Sequence, residues 1–297
     1  PILGNEPEKL KVVRNPVKLF SIARGLGINC PRTEKASSPD EAVEIAENIG
    51  FPVVLKPMGG SGGFRIRLGR NSDEVKKNFS YVAGRTGEVW IQEYIRGIDA
   101  SSSVLGNGHE CVVVSVNEQL IGKKQLGVST PFGYCGNIVP LKADPALINN
   151  IKSLSSRLGE KLGLMGSNGF DFVISQDNEI YLMEVNPRFQ ATLECVKYVT
   201  GLNLVREHIK ACMGELPAEI PNPKGYAVKM IVFAKRRGIV PDLRELKHIF
   251  DVPHPGIIVN KGNPICTVQL LSQTRDEAIA TALETVSEVY RRIKGLQ

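Results

Sequence analysis

The chain has 297 residues, 42% hydrophobic and 23% charged, enough to bury a sizeable core in one large domain or two packed ones. No apolar run is long enough to span a bilayer and the opening residues lack a signal-peptide pattern, so the expectation is a soluble, cytoplasmic protein with no membrane partner. A net charge of +6 favours anionic partners such as nucleotides, but without a Lys/Arg block interleaved with aromatics no nucleic acid is expected among them.

The chain opens on Pro1 rather than methionine, in the middle of what reads as structured sequence, as a fragment would. Asn15 and Pro16 form an N-cap and first-turn pair, predicting a helix over 17–24 that stops at Gly25 and Gly27. Ser38-Pro39-Asp40-Glu41 opens a second helix in the same way; its end at Gly50 leads into a short β-branched strand over 51–56. A glycine loop from Met58 to Gly63 is followed by alternation in Phe64, Ile66 and Leu68, which predicts strand, loop, strand. Ser72 is expected to cap a helix through Tyr81. Residues 89–95 read as a strand ending at Gly97, with further strands expected within 101–105, 110–116 and 119–124.

Helical periodicity over 145–162 closes at Gly163, and a hairpin follows, 169–175 and 179–186, about Gln176-Asp177-Asn178. Residues 203–213 read as a helix, 217–223 as a linker, 226–234 and 265–271 as strands, and 274–294 as a closing helix. Helices alternating with antiparallel strands indicate an α+β architecture. The six cysteines contain no CxxC pair, so buried free thiols are expected rather than a zinc site.

Two clusters could carry chemistry. Gly59, Gly60, Gly62 and Gly63, interrupted only by Ser61, would let backbone N–H groups converge on phosphate oxygens, with Lys56 as a nearby fixed charge. Lys56 precedes the glycines at a strand end, whereas a Walker loop carries its lysine after them at a helix start, and GxGxxG spacing is absent. Phosphate cradle and flexible hairpin tip both stay open on these residues alone. The second cluster is Asp171 and Glu184 on adjacent strands of the hairpin, with Asn186 on the face of Glu184 and Arg188 continuing it. These are hard oxygen donors of the kind magnesium takes, completed by phosphates and water. Gly169 to Ile174 is too apolar a setting for two unpaired acids on a solvated edge, which favours the metal site.

Taken together, Phe51-Pro52-Val53-Val54-Leu55-Lys56-Pro57 with its glycine loop, Gln92-Glu93-Tyr94-Ile95-Arg96-Gly97-Ile98-Asp99, Asp171, and Glu184-Val185-Asn186-Pro187-Arg188 resemble the ATP-grasp superfamily over about residues 12–215. The resemblance implies two α+β subdomains clamping ATP, 13–98 with the glycine loop and 99–216 with the metal site, then a carboxylase-like extension over 217–297. It also implies a preceding α/β domain, whose tail would be residues 1–12. Lys56 would meet the α- and β-phosphates and the loop Gly59 to Gly63, Ser61 included, would close over the triphosphate. Gln92, Glu93, Tyr94 and Ile95 would border the adenine, the backbone of Glu93 and Ile95 reading its edge, and Asp99 would take the ribose hydroxyls. Asp171, Glu184 and Asn186 would hold two Mg2+ (or Mn2+) ions, and Arg188 would stabilise a developing oxyanion or acyl phosphate. Many members place an early lysine where Pro16 stands here; Lys18, two residues on, is the candidate substitute. Substrate-reading residues in this superfamily come from variable loops; the resemblance implies such a loop from Gln125 to Asn137 and another after Arg188, with Gln125, Tyr134 and Asn137 lining an acceptor pocket or simply packing the loop.

Thr200-Gly201-Leu202-Asn203, Gly225-Tyr226-Ala227 and Gly262-Asn263-Pro264-Ile265 are similar to the carboxylase branch, which includes biotin carboxylase. That branch carries a glutamate base where this chain has Thr192 and an arginine where it has Ile231. The departure favours a carboxylate-amine ligase of the ADP-forming type, with ATP, a small-molecule carboxylate and an amine as partners. The alternatives are a biotin-carboxylase-like carboxylase, a small-molecule kinase of the same fold and a non-catalytic ATP-binding module. The oligomeric state stays open, a homodimer included.

Overall fold

The computed structural model describes residues 2–60 and 62–295. Proline in the first turn starts α1 (Pro7–Val13), α2 (Pro16–Arg24) and α3 (Pro39–Ile49); Asn15 and Ser38 cap the last two by accepting the backbone N–H of Lys18 and Glu41. The strands β1 (Thr33–Ala36), β2 (Val53–Pro57), β3 (Arg67–Gly69) and β4 (Val89–Glu93) form an antiparallel sheet in the order β1-β4-β2-β3. Helices α3 and α4 (Ser72–Ala83) cover one face, packing Ile45, Ile49, Val75 and Phe79 on Val53, Leu55, Val89 and Ile91. Alternation therefore turns Val54, Lys56, Trp90 and Gln92, paired across β2 and β4, to the opposite face.

The strand expected from Phe64 contracts to β3. Gly62, Gly63 and Arg65 adopt positive φ of 62°, 78° and 63°, so the chain is still turning where the alternation begins. Asn71, not Ser72, caps α4, accepting from the Glu74 N–H.

The second sheet is built from β5 (Gly97–Asn107), β6 (Cys111–Ile121), β7 (Tyr134–Val139), β8 (Met165–Ser175), β9 (Ile180–Asn186) and β10 (Tyr226–Phe233), joined at the edge by β12 (Ile249–Phe250) and β14 (Pro264–Ser272). Its eight strands run β12-β14-β10-β7-β6-β5-β8-β9. A small third sheet pairs β11 (Gly238–Ile239) with β13 (Ile258–Val259) and β15 (Lys294–Gly295). The two strands expected over 110–124 are one: β6 passes unbroken through Asn117, whose amide reaches the hydroxyls of Ser101 and Ser103 at 3.3 Å across the ladder. The end of the expected variable loop is the regular strand β7, so Tyr134 and Asn137 are sheet residues. A helix absent from the sequence reading, α6 (Leu193–Thr200), precedes α7 (Leu204–Cys212).

One face of this sheet is apolar. Helix α2 and α5 (Pro145–Leu162) bury Phe20, Ile151 and Leu158 against Phe170, Phe172 and Leu182, while α8 (Arg275–Arg292) buries Ala282, Val286 and Val289 against Val228, Met230 and Val268. At the junction Arg275 grips Glu118 with three hydrogen bonds of 2.7 to 3.1 Å, which ties the start of α8 to β6. Helix α2, from the 13–98 segment, packs on the larger sheet, and β10 and β14, from 217–297, extend it. No helix among the described residues is long and apolar enough to cross a membrane. All six cysteines are free, with Cys30 and Cys212 half-buried and the others buried.

Candidate active site

The other face of the eight-stranded sheet packs Leu105, Val114, Val139 and Ala227 under α6 and α7, and beside that cluster it is polar. Cross-strand pairing aligns Lys229 with Asn137, Asn137 with Gln119, Asn117 with Ser101, Ser101 with Asp171, and Asp171 with Glu184. Counting outward from the hairpin turn, Ile174 faces Ile180 and Phe172 faces Leu182, which would bring Met183 opposite Asp171. A β-bulge between Asp171 and Phe172 shifts the register by one and places Glu184 there instead. Asn186, two residues on, lies opposite Gly169 on the same face and donates to Asp171 Oδ2 at 2.9 Å; Gln119 donates to Oδ1 at 2.9 Å.

Asp171 thus has both carboxylate oxygens held by amides. Burial, then the like charge of Glu184, push its pKa up to about 7, opposed by the Gln119 hydrogen bond and by Arg188 and Lys56. Lys56 completes the cluster from the smaller sheet. Burial lowers the pKa of its ammonium, while Glu184 and Asp171 act in the other direction, so the lysine lies within the field of both acids. Arg188, exposed just past β9, donates to Asn186 Oδ1 at 3.3 Å and to the Phe189 carbonyl at 2.8 Å.

The glycine loop is closed onto the larger body. The Tyr134 N–H donates to the Gly62 carbonyl at 3.3 Å, and a Cβ at Gly63 would overlap the carbonyl of Phe132. The Phe132 ring meets that of Tyr94 edge-on, with centroids 6.5 Å apart, so residues 130–134 touch both the loop and the segment after β4. Ser61 lies outside the described residues; Gly59 and Gly60 are exposed.

Gln92 faces the cleft between the sheets, almost fully buried. Its Nε2 donates to Thr33 Oγ1 at 3.0 Å, and its Oε1 is buried with no partner, an acceptor that a ligand in the cleft would satisfy. The Glu93 N–H is already engaged by the Arg32 carbonyl at 2.8 Å, which leaves the Glu93 carbonyl as its backbone group for a base edge. Asp99, on β5, is raised to about 6 by burial against the opposing pull of Lys123. Lys18 is exposed in the first turn of α2, where its N–H donates to the Asn15 side chain.

Two polar residues escaped the sequence reading. Lys229 is 8% exposed on β10 and its ammonium donates to Glu194 on α6 at 3.1 Å. Tyr134, whose hydroxyl donates to Asn137 Oδ1, links this pair to the acids: its pKa is raised by burial first, then by Cys195, Asp171 and Glu194. Thr192 is buried and bonded to Ser103 at 3.0 Å, so Glu194, two residues further, is the exposed carboxylate here. The signal in the sequence was a lone lysine in the apolar run Tyr226-Ala-Val-Lys-Met-Ile-Val-Phe.

A polar sheet face holding two carboxylates on one rung, opposite a strand-end lysine and a closed glycine loop, defines a cleft between two α+β bodies. The sequence matches the ATP-grasp domain family over residues 13–192. The chain belongs to the ATP-grasp family. Over 98% of its length it is 28% identical to the uncharacterized protein MJ0776 of Methanocaldococcus jannaschii, covering 69% of that protein. It is 25% identical over 255 residues to the carbamoyl phosphate synthase large chain of Deinococcus radiodurans, spanning 24% of that much longer chain. Among solved structures, the biotin carboxylase domain of Hydrogenobacter thermophilus 2-oxoglutarate carboxylase, in complex with MgADP, ADP and bicarbonate, superposes with a TM-score of 0.76 at 17% identity; the match covers 98% of this chain and 68% of that one. Carboxyaminoimidazole ribonucleotide synthase of Aspergillus clavatus, complexed with ATP, gives 0.78 at 15% identity, covering 96% and 76%. At such identities the likeness is one of fold: this chain has the α+β ATP-grasp architecture.

The donors suit the ions of that family. Asp171 and Glu184 present hard carboxylate oxygens, Asn186 carries a third oxygen that here accepts from Arg188, and the mutual repulsion of the acids is what a divalent cation would relieve. No cluster of three or more His, Cys, Asp or Glu side chains with metal-site geometry occurs among the described residues, so an ion here would take further ligands from phosphates and water.

Proposed function

We propose that the protein is an ADP-forming ligase that uses ATP and magnesium to activate a carboxylate as an acyl phosphate for attack by an amine. The pairing of Asp171 with Glu184 on one rung, within the field of Lys56, carries the reading. A substrate carboxylate oxygen attacks the γ-phosphorus, the bond to the bridging oxygen breaks and ADP leaves. The amine nitrogen then attacks the acyl carbon, the bond to the phosphoryl oxygen breaks, and phosphate and a proton are released. Lys56 holds the α- and β-phosphates and the glycine loop excludes water above them. Gln92 and the backbone of Glu93 and Ile95 orient the adenine, and Asp99 the ribose. Asp171, Glu184 and Asn186 would hold magnesium, which would supply charge neutralisation for the transferring phosphoryl group. The N–H groups of Arg188 not already committed to Asn186 and Phe189 face the oxyanion.

A second reading, in which bicarbonate is the activated carboxylate, draws on the Lys229–Glu194 pair, a cation and an exposed carboxylate close to the positions where the expected base and arginine are absent. The deciding experiment supplies Mg-ATP with a library of carboxylates, bicarbonate included, with and without hydroxylamine. ADP release that requires an acid, and traps as its hydroxamate, supports ligation; release stimulated by bicarbonate alone selects the second reading. ADP formation indifferent to every acid and amine, or a stable phosphate ester by phosphorus NMR, would overturn both.

A further inference from the structure

Four stretches of chain meet at one pole of the larger sheet. The segment after β6 packs on the end of β10, where a Cβ at Gly127 would overlap the Phe233 carbonyl, and the Tyr290 hydroxyl donates to that carbonyl at 2.9 Å. The 260–263 turn closes on the same point: the Ala234 N–H donates to the Asn263 carbonyl at 2.8 Å and the Gly262 N–H to the Ala234 carbonyl at 2.7 Å. Gly238 pairs with Gly295, and the Arg236 guanidinium lies against Gly295. These contacts bring together Lys123 and Lys124 from the first stretch, Lys235, Arg236 and Arg237 from the second, Lys261 from the third and Lys294 from the fourth.

All seven are exposed, and no acid occurs in 123–129, 234–238, 260–263 or 294–295. Among the described residues none of the seven takes part in an ion pair. The acids of the adjoining α8 end and the 242–245 turn, Glu288, Glu245 and Asp242, already pair with Arg291, Arg292 and Arg244. The whole chain carries 37 cations against 31 acids, or +6; removing these seven leaves 30 against 31, or −1. The seven charges of this pole thus exceed the net charge of the whole chain. Like charges gathered this way repel one another in the folded state, offset only in part by Lys235 resting 4.0 Å over the Tyr290 ring and by the attraction between Lys123 and Asp99.

The form of the patch indicates its occupant. Exposed, flexible side chains on four loops make no enclosed cradle for a single small anion; they suit an extended partner with many negative charges. The four segments contain no aromatic residue, so bases would find no stacking platform, and among the described residues the patch lies on turns and short strands rather than on a helix that could enter a groove. We propose that this pole is a docking surface for an acidic polypeptide segment of a partner protein. The first stretch continues through Phe132 and Gly133 to the glycine loop, so a docked partner lies one loop away from the cleft.

The test measures binding of a fluorescein-labelled oligoglutamate peptide to the full chain by anisotropy across a sodium chloride series. Reversing Lys124→Glu, Arg237→Glu and Lys261→Glu together is expected to weaken binding by about tenfold or more and to flatten its salt dependence. Reversing three exposed lysines elsewhere, Lys77→Glu, Lys152→Glu and Lys210→Glu, changes net charge equally and should shift affinity by about twofold or less. Glutamine at the same three patch positions, with thermal unfolding of every variant, guards against misfolding. Equal losses in the patch and control variants, no binding at low salt, or tighter binding of a single-stranded oligonucleotide of matching charge would each overturn the proposal.

Discussion

The two faces of the eight-stranded sheet are made by the same strands yet obey different rules. Residues turned toward α2, α5 and α8 are apolar and buried in two continuous clusters, so that face holds the molecule together. Residues one step along each strand, Ser101, Asn117, Gln119, Asn137, Asp171 and Lys229, are polar although mostly buried, and they bond to one another and to neighbouring polar groups. Asn117 Oδ1 even lacks a partner. Burying such groups is unfavourable to the fold, and their concentration on one face marks where the sheet serves chemistry rather than stability.

Four substitutions would break or sharpen that contrast, from the largest expected effect to the smallest. On the apolar face, Phe170→Ala should cost about 3–5 kcal/mol in denaturant unfolding, since the ring is fully buried between sheet and helices. On the polar face Glu184→Gln should leave the thermal midpoint nearly unchanged while lowering acid-dependent ADP release by on the order of 10² to 10³, the reverse pattern. Asp99→Asn separates the faces by pH. With its pKa at about 6 when folded against an ordinary aspartate value of 3.8, Asp99 binds its proton more tightly in the native state. The unfolding free energy should therefore fall as pH rises from about 4 to 6, by up to about 3 kcal/mol, and stay reduced above that window. The asparagine variant should lose this slope and be the more stable protein at pH 7; equal pH profiles of the two would refute the assignment. Lys229→Met should cost only about 1 kcal/mol, because Glu194 is 44% exposed and can be rehydrated, yet it should change acceptor dependence more than ATP affinity.

Much of the scaffold was legible. The caps at Asn15 and Ser38 are local hydrogen bonds between a side chain and a backbone three residues on, so their signals need no tertiary partner. The hairpin about 176–178 and the strand that ends in Lys56 were readable for the same reason. Strand β7 was not, because Tyr134-Cys-Gly-Asn-Ile-Val owes its order to β6 and β10 on either side, and Gly136 packs under the Lys229 carbonyl rather than making a turn. Missing β7 hid the polar face, since Asn137 and Lys229 become neighbours only through it.

Sequence by itself determined which residue types this protein has for phosphate and metal chemistry, and roughly which elements carry them, because composition and period are properties of short windows. Only the tertiary structure decided that they meet. Period two counted from the turn sets Asp171 opposite Met183 and would send Glu184 to the helix-covered face; the bulge that reverses this is a property of the paired strands. The gathering of seven cations from four distant segments at one pole is likewise a matter of which loops pack together, since charges far apart along the chain add their fields only when folding brings them close.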